Sequence, residues 1–174
     1  LAFGKDIGGL IGNPFTYFMF RNVGGNPEPA FAATIPLALF ALFQLKFAII
    51  TPALITGSFA ERVKFSAYLL FMVLWSLVIY APLAHWTWHP DGFLRKLGVL
   101  DFAGGTVVHM SAGLAALAGA LFLGQRSEHK VAYRPANIPF VMLGTALLWF
   151  GWFGFNAGSA LAANSLAVEA FVNT

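Results

Sequence analysis

A chain of 174 residues that is 59% hydrophobic and only 10% charged, with a mean hydropathy of +0.74, departs from the soluble-domain norm of about a quarter charged residues and points to lipid as its solvent. With no cysteine it offers neither a disulfide framework nor a thiolate nucleophile or thiolate metal site. Its net charge of +3 comes from Lys and Arg residues scattered without a basic run, which argues against a nucleic-acid partner.

Residues 1–33 hold turn signals, with glycines at 4, 8, 9, 12, 24 and 25 and prolines at 14, 27 and 29, and read as an external loop region of turns and a short helix. From about 34 to 60 runs the first stretch long enough to cross a hydrocarbon core of about 30 Å, with Pro36 expected in its first turn and Pro52 expected to bend it near one end. Lys46 falls about 18 Å into this span at 1.5 Å per residue, and the cost of a charge at that depth predicts that it avoids any lumen and seeks a helix or subunit interface. The tetrad "ERVK", Glu61 to Lys64, is a tight connection to a second span over about 65–84. In the following "HWTWHPDGFLRKLGVL", Trp86 and Trp88 suit a headgroup-level aromatic belt. A third span covers about 102–123 and a fourth about 138–163, joined by "GQRSEHKVAYRPAN". Arg62, Lys64, Arg126, Lys130 and Arg134 crowd the two short loops, whereas Lys5, Arg21, Arg95 and Lys96 lie in the longer segments opposite, so loops 61–64 and 125–137 are expected inside and both ends of the piece outside. The class is an all-α polytopic transmembrane bundle, read as an excerpt of a longer protein because no initiator Met or cleavable leader opens it.

The third span, "LDFAGGTVVHMSAGLAALAGALFLG", is lined with small residues that let neighbouring helices approach its backbone closely, which marks it as central. His109 lies about a third of the way along, and an ionisable ring at that depth is expensive enough to make a functional role the default. The alternative is a neutral histidine bonded to a neighbouring helix. Facing a lumen, neutral imidazole could both donate and accept, and so pass a proton or bind a small polar solute. Asp101, ahead of the span, reads as a cap for its free N–H groups. Phe43 and Phe47, four apart, share one face of the first span and could form a two-ring constriction, although most of the 19 phenylalanines must simply face lipid.

"DFAGGTVVHMSAG", with "GSFAERVKFSAYLLF", "APLAHWTW" and "WFGFNAGSA" in that order, resembles the Amt/Mep/Rh ammonium transporter family over about 34–174, residues 1–33 adding little. The resemblance implies an eleven-helix bundle with an inverted repeat, assembled as a homotrimer with one pore per subunit, of which the four spans here would be the third to sixth helices. It implies that His109 is the first of a pair of pore histidines, the second lying on a later helix beyond this chain. Trp88, Phe47 and Ser159 would form the external site that recruits ammonium, with Asp101 as its support. Phe43, Phe47 and Phe155 would gate the pore entrance, and Trp88 favours the Amt/Mep branch over the Rh branch. Ammonium and ammonia are the implied substrates, with a PII-type signal protein as a possible regulator on the cytoplasmic loops, a cell-membrane location and no cofactor.

His85, His89 and Asp91 in "HWTWHPD" invite a metal reading, but Pro90 and Gly92 end the helix and no Glu stands between the histidines, so they are read as interfacial polar residues with no metal. That removes an intramembrane metallohydrolase, and with it the leading enzyme reading. Two functions stay open: a conducting pore, and an ammonium sensor in which the same fold would control a signalling domain.

Overall fold

The structure, a computed structural model, describes residues 1–126 and 137–174. The chain divides into two units, Leu1–Gly124 and Gln125–Thr174. Among the described residues four helical stretches are long and apolar enough to span a membrane: Leu37–Phe59, Phe65–Lys96, Gly105–Leu123 and Ile138–Gly158. The helical transmembrane class expected from composition is the class observed.

Ahead of the first long helix, the region read as turns and a short helix also contains two small antiparallel ladders. Strands β1 (Asp6–Ile7) and β2 (Ile11–Gly12) pair with Ile7 opposite Ile11, the turn between them using Gly8 and Gly9 at φ +67° and +75°, where only glycine is unstrained. Strands β3 (Pro27–Glu28) and β4 (Ala32–Pro36) form the second ladder, and a one-turn 3₁₀ helix spans Phe18–Phe20. This ladder corrects the expectation for Pro36, which is extended (φ −55°, ψ 140°) and precedes helix α1, Leu37–Ala53. The first helical N–H groups then turn back to the loop, Leu37 N donating to Asn26 O and Ala38 N to Gly24 O, both at 3.0 Å, which satisfies donors that a helix start leaves orphaned.

Pro52 stands one residue before the end of α1, where it has no N–H to give, and the helix resumes after a break as α2, Thr56–Phe59. Lys46 is exposed on α1. The second long helix is α3 (Phe65–Trp75), a π-helical turn at Ser76–Tyr80, and α4 (Ala81–Trp88). It runs past Ala84 to Trp88, so Trp86 and Trp88 are helical and not part of a connection. It stops because His89, preceding a proline, is driven to extended geometry (φ −71°, ψ 138°). After the short α5, Phe93–Lys96, the third long helix opens with a π turn at Gly105–Met110 and continues as α6, Ser111–Leu123.

Helices α2 and α6 pack together, and Gly119 shows how closely: a Cβ there would stand 2.8 Å from the Phe59 ring. Arg62 fastens the same ends. Its guanidinium donates to Ser58 O at 2.7 and 3.2 Å and to Gly124 O at 2.5 Å, covering carbonyls that both helix termini leave open.

In the second unit α7 spans Ile138–Gly158 and α8 Ser165–Val172. Asn137 and Asn164 cap them, each side chain accepting from a backbone N–H at 3.0 Å. The two helices are tied by the Phe153–Phe171 ring contact at 5.0 Å and by Trp149 Nε1 donating to Thr174 O at 3.2 Å. The helix that opens at Ile138 ends at Gly158, short of residue 163, because Asn164 starts a new helix and Leu161 bends the link at φ +52°. Loop 125–137, on which regulator docking was expected, includes residues 127–136, outside the described residues.

Candidate functional site

Within the first unit, three rings form a chain across two helices. Phe43 and Phe47 stand one turn apart on α1, edge to face with centroids 5.1 Å apart. Phe47, only 1% exposed, meets Trp88 at the end of α4 in the same geometry, also at 5.1 Å, an arrangement the aromatic quadrupole favours. The indole is fixed, because Trp88 Nε1 donates to Asp101 O at 3.0 Å.

Asp101 then organises the start of the third long helix. Its Oδ1 accepts from the N–H groups of Gly104 and Gly105 at 2.5 and 2.9 Å, and its Oδ2 from those of Thr106 and Val107, both at 2.9 Å. One carboxylate thereby meets four backbone donors at a helix N-terminus, where negative charge is favoured. Gly104 makes the turn possible with φ +94°, and a Cβ there would lie 2.6 Å from Val108 Cγ2 and 3.5 Å from the Phe47 ring. From Trp88 through Asp101 to this helix start, each group holds the next.

His109 sits inside the π turn, its N–H reaching Gly104 O five residues back at 3.0 Å while Val108 N reaches the same oxygen at 2.9 Å. Such turns recur at functional positions in helices. The histidine is exposed on the unit, whereas Val107 and Val108 beside it are wholly buried. Phe155 and Ser159 belong to the other unit, at the end of α7, where Ser159 Oγ donates to Phe155 O at 2.9 Å and the Phe155 ring lies 6.0 Å from that of Trp152. This is the back-bond to the i−4 carbonyl that helical serines often make, and the hydroxyl oxygen keeps its acceptor capacity.

The reading of His85, His89 and Asp91 as one set of interfacial polar residues needs correction in two respects. His85 is fully buried and His89 is 5% exposed, because the β1–β2 hairpin closes over the end of α4. Trp86 Nε1 donates to Leu10 O at 2.5 Å and Phe93 N to Gly9 O at 3.2 Å. The carboxylate in the cluster is also a different one: Asp6 Oδ1 lies 2.9 Å from His85 Nε2, whereas Asp91 pairs with Lys96 at 3.3 Å. Hydrogen bonding from the His85 imidazole, aided by Gly9 N–H, holds the Asp6 carboxyl below the usual carboxylate range despite some loss of solvent. Asp6 gave no signal in the sequence, since its partner lies 79 positions away.

The sequence profile of the Ammonium Transporter Family matches residues 1–174, so the resemblance extends through the N-terminal region thought to add little. An ammonium transporter of Aquifex aeolicus is 54% identical over the whole chain, which covers 40% of that relative. A putative ammonium transporter of Methanothermobacter thermautotrophicus is 51% identical, again over the whole chain and 42% of its own length. The crystal structure of Candida albicans Mep2 superimposes with a TM-score of 0.89 at 39% identity, over 99% of this chain and 38% of that one. The chain therefore spans about two fifths of the length of these relatives, and with its four membrane-crossing helices it is a multi-pass membrane segment belonging to the ammonium transporter family.

Proposed function

We propose that this chain is the substrate-gathering and pore-entry part of an ammonium transporter. The observation that carries the reading is the continuous linkage from the Phe47–Trp88 ring pair, through the Trp88 bond to Asp101, to the helix start that precedes His109. Ammonium is a small cation attracted to aromatic faces, most strongly to tryptophan. A dehydrated cation pays a large Born cost in hydrocarbon, whereas neutral ammonia pays far less. The rings of Trp88 and Phe47 thus gather the cation, which parts into ammonia, passing the phenylalanines Phe43 and Phe47, and a proton, which crosses separately by way of His109, so that each ammonium taken up moves one net charge. Neutral His109 then offers a hydrogen bond where water is scarce. Phe155 and Ser159 join the gate and the recruiting site on the strength of the family motif. The working protein is a homotrimer, with loop 125–137 available to a PII-type regulator.

His109→Ala in the full-length protein, reconstituted in liposomes, is expected to abolish or strongly reduce ammonium-evoked current; unchanged current and ion selectivity would refute the assignment. Trp88→Leu is expected to weaken apparent ammonium affinity about 2- to 30-fold, the range of a cation–π contact, with little change in maximal flux.

A further inference from the structure

The His85 ring stands between two acceptors. Nδ1 is 2.7 Å from Ala2 O and Nε2 is 2.9 Å from Asp6 Oδ1, yet a neutral imidazole has one N–H to give. If Nδ1–H serves the Ala2 carbonyl, the Nε2 lone pair faces a carboxylate oxygen, and that contact holds only with a cation between them. A proton would satisfy two groups, but a third donor is present. His89 stacks on His85 with ring centroids 4.3 Å apart, and one ligand atom from each of Asp6, His85 and His89 falls within 4.8 Å of the other two.

We propose that Asp6, His85 and His89 bind one divalent transition-metal ion of the zinc class, clamping the N-terminal hairpin onto the end of the second long helix. Two imidazoles and a carboxylate suit zinc, nickel or copper better than the hard oxygen-seeking cations. The Ala2 carbonyl does for His85 what outer-sphere acceptors do for metal-bound histidines, holding the tautomer with Nε2 free. Asp6 is the open side, its side chain 23% exposed while that of His85 is fully covered, so metal and a completing water enter there. His89 Nδ1 accepts from Asp91 N at 3.0 Å, so as a neutral imidazole His89 ligates by trading that bond, either directly at Nδ1 or at Nε2 with the ring proton moved to Nδ1. Ligation needs unprotonated ring nitrogens, so metal uptake is coupled to proton release.

The test uses untagged full-length protein stripped with chelator and titrated with Co²⁺, read by visible d–d absorption and by thermal unfolding. One Co²⁺ per chain, displaced by Zn²⁺ and raising the melting temperature, is expected. His89→Gln leaves the His85–Asp6 contact in place, and it and Asp6→Asn are each expected to weaken binding by about tenfold or more. Asp91→Asn, outside the ligand set, is expected to bind as the parent does. Equal Co²⁺ binding by the parent and His89→Gln would overturn the proposal. So would an absence of Co²⁺ and Zn²⁺ binding by the parent.

Discussion

At Gly104 the backbone takes φ +94° with Val108 and Phe47 pressed against the place where a side chain would begin. Alanine there meets both a left-handed conformation and a clash with a fully buried valine, so Gly104→Ala is expected to destabilise the protein by about 1–3 kcal/mol, measured as a lower melting temperature in detergent. Because the same shift would disturb the Phe47 ring, apparent ammonium affinity should fall with it. Residues of this kind were partly legible. Asp101 and Gly104 lie within one short motif, so their service to the helix start is local in sequence. Asp6 carries no local mark, since its meaning comes from His85 across 79 positions.

Hydropathy located the four long helices because desolvation acts on every residue of a span, but it says nothing of the π turns at Ser76–Tyr80 and Gly105–Met110. A π turn holds one residue more than an α turn, which advances every later side chain by about 100° relative to an unbroken helix. A helical wheel drawn through the third span therefore misplaces Ser111, Gly113 and Gly119 relative to Gly105 at the start of the turn. The pairing of Phe43 with Phe47 needed only the four-residue interval, whereas the contact of Phe47 with Trp88 was suggested by the resemblance alone. Arg62 marked a loop by its charge, yet its work is to bind Ser58 O and Gly124 O at two helix ends. Arg62→Ala is expected to cost about 1.5–3 kcal/mol, the range for hydrogen bonds to a charged donor. Arg62→Lys should recover little in the same melting experiment, since one ammonium cannot reproduce the fork.

For the molecule as a whole, the distribution of Lys and Arg predicts loop 61–64 in the cytoplasm and residues 1–33 outside. Single cysteines introduced at Asn22 and Lys64, in a chain with none of its own, are expected to react with a membrane-impermeant maleimide in intact cells at position 22 and not at 64. The reverse pattern would invert the orientation.

The hairpin closed over the end of α4 also has a history in time. It is synthesised before α1, but Trp86 and His85, to which it is fastened, emerge 76 and 79 positions after their partners Leu10 and Asp6. At about 5–20 residues per second the ribosome needs roughly 4–16 s to supply them. Through that interval the first span can already cross the bilayer, with Phe3 and Phe31 able to pack on its Phe40, while the β1–β2 hairpin still lacks the end of α4 on which it docks. A nascent chain arrested after the first span should thus expose the hairpin, residues 6–12, to protease on the outer side, and one arrested beyond α5 should protect it. The hairpin, made before the helix end to which it is fastened, is thus expected to take its final place only once Trp86 and His85 have emerged.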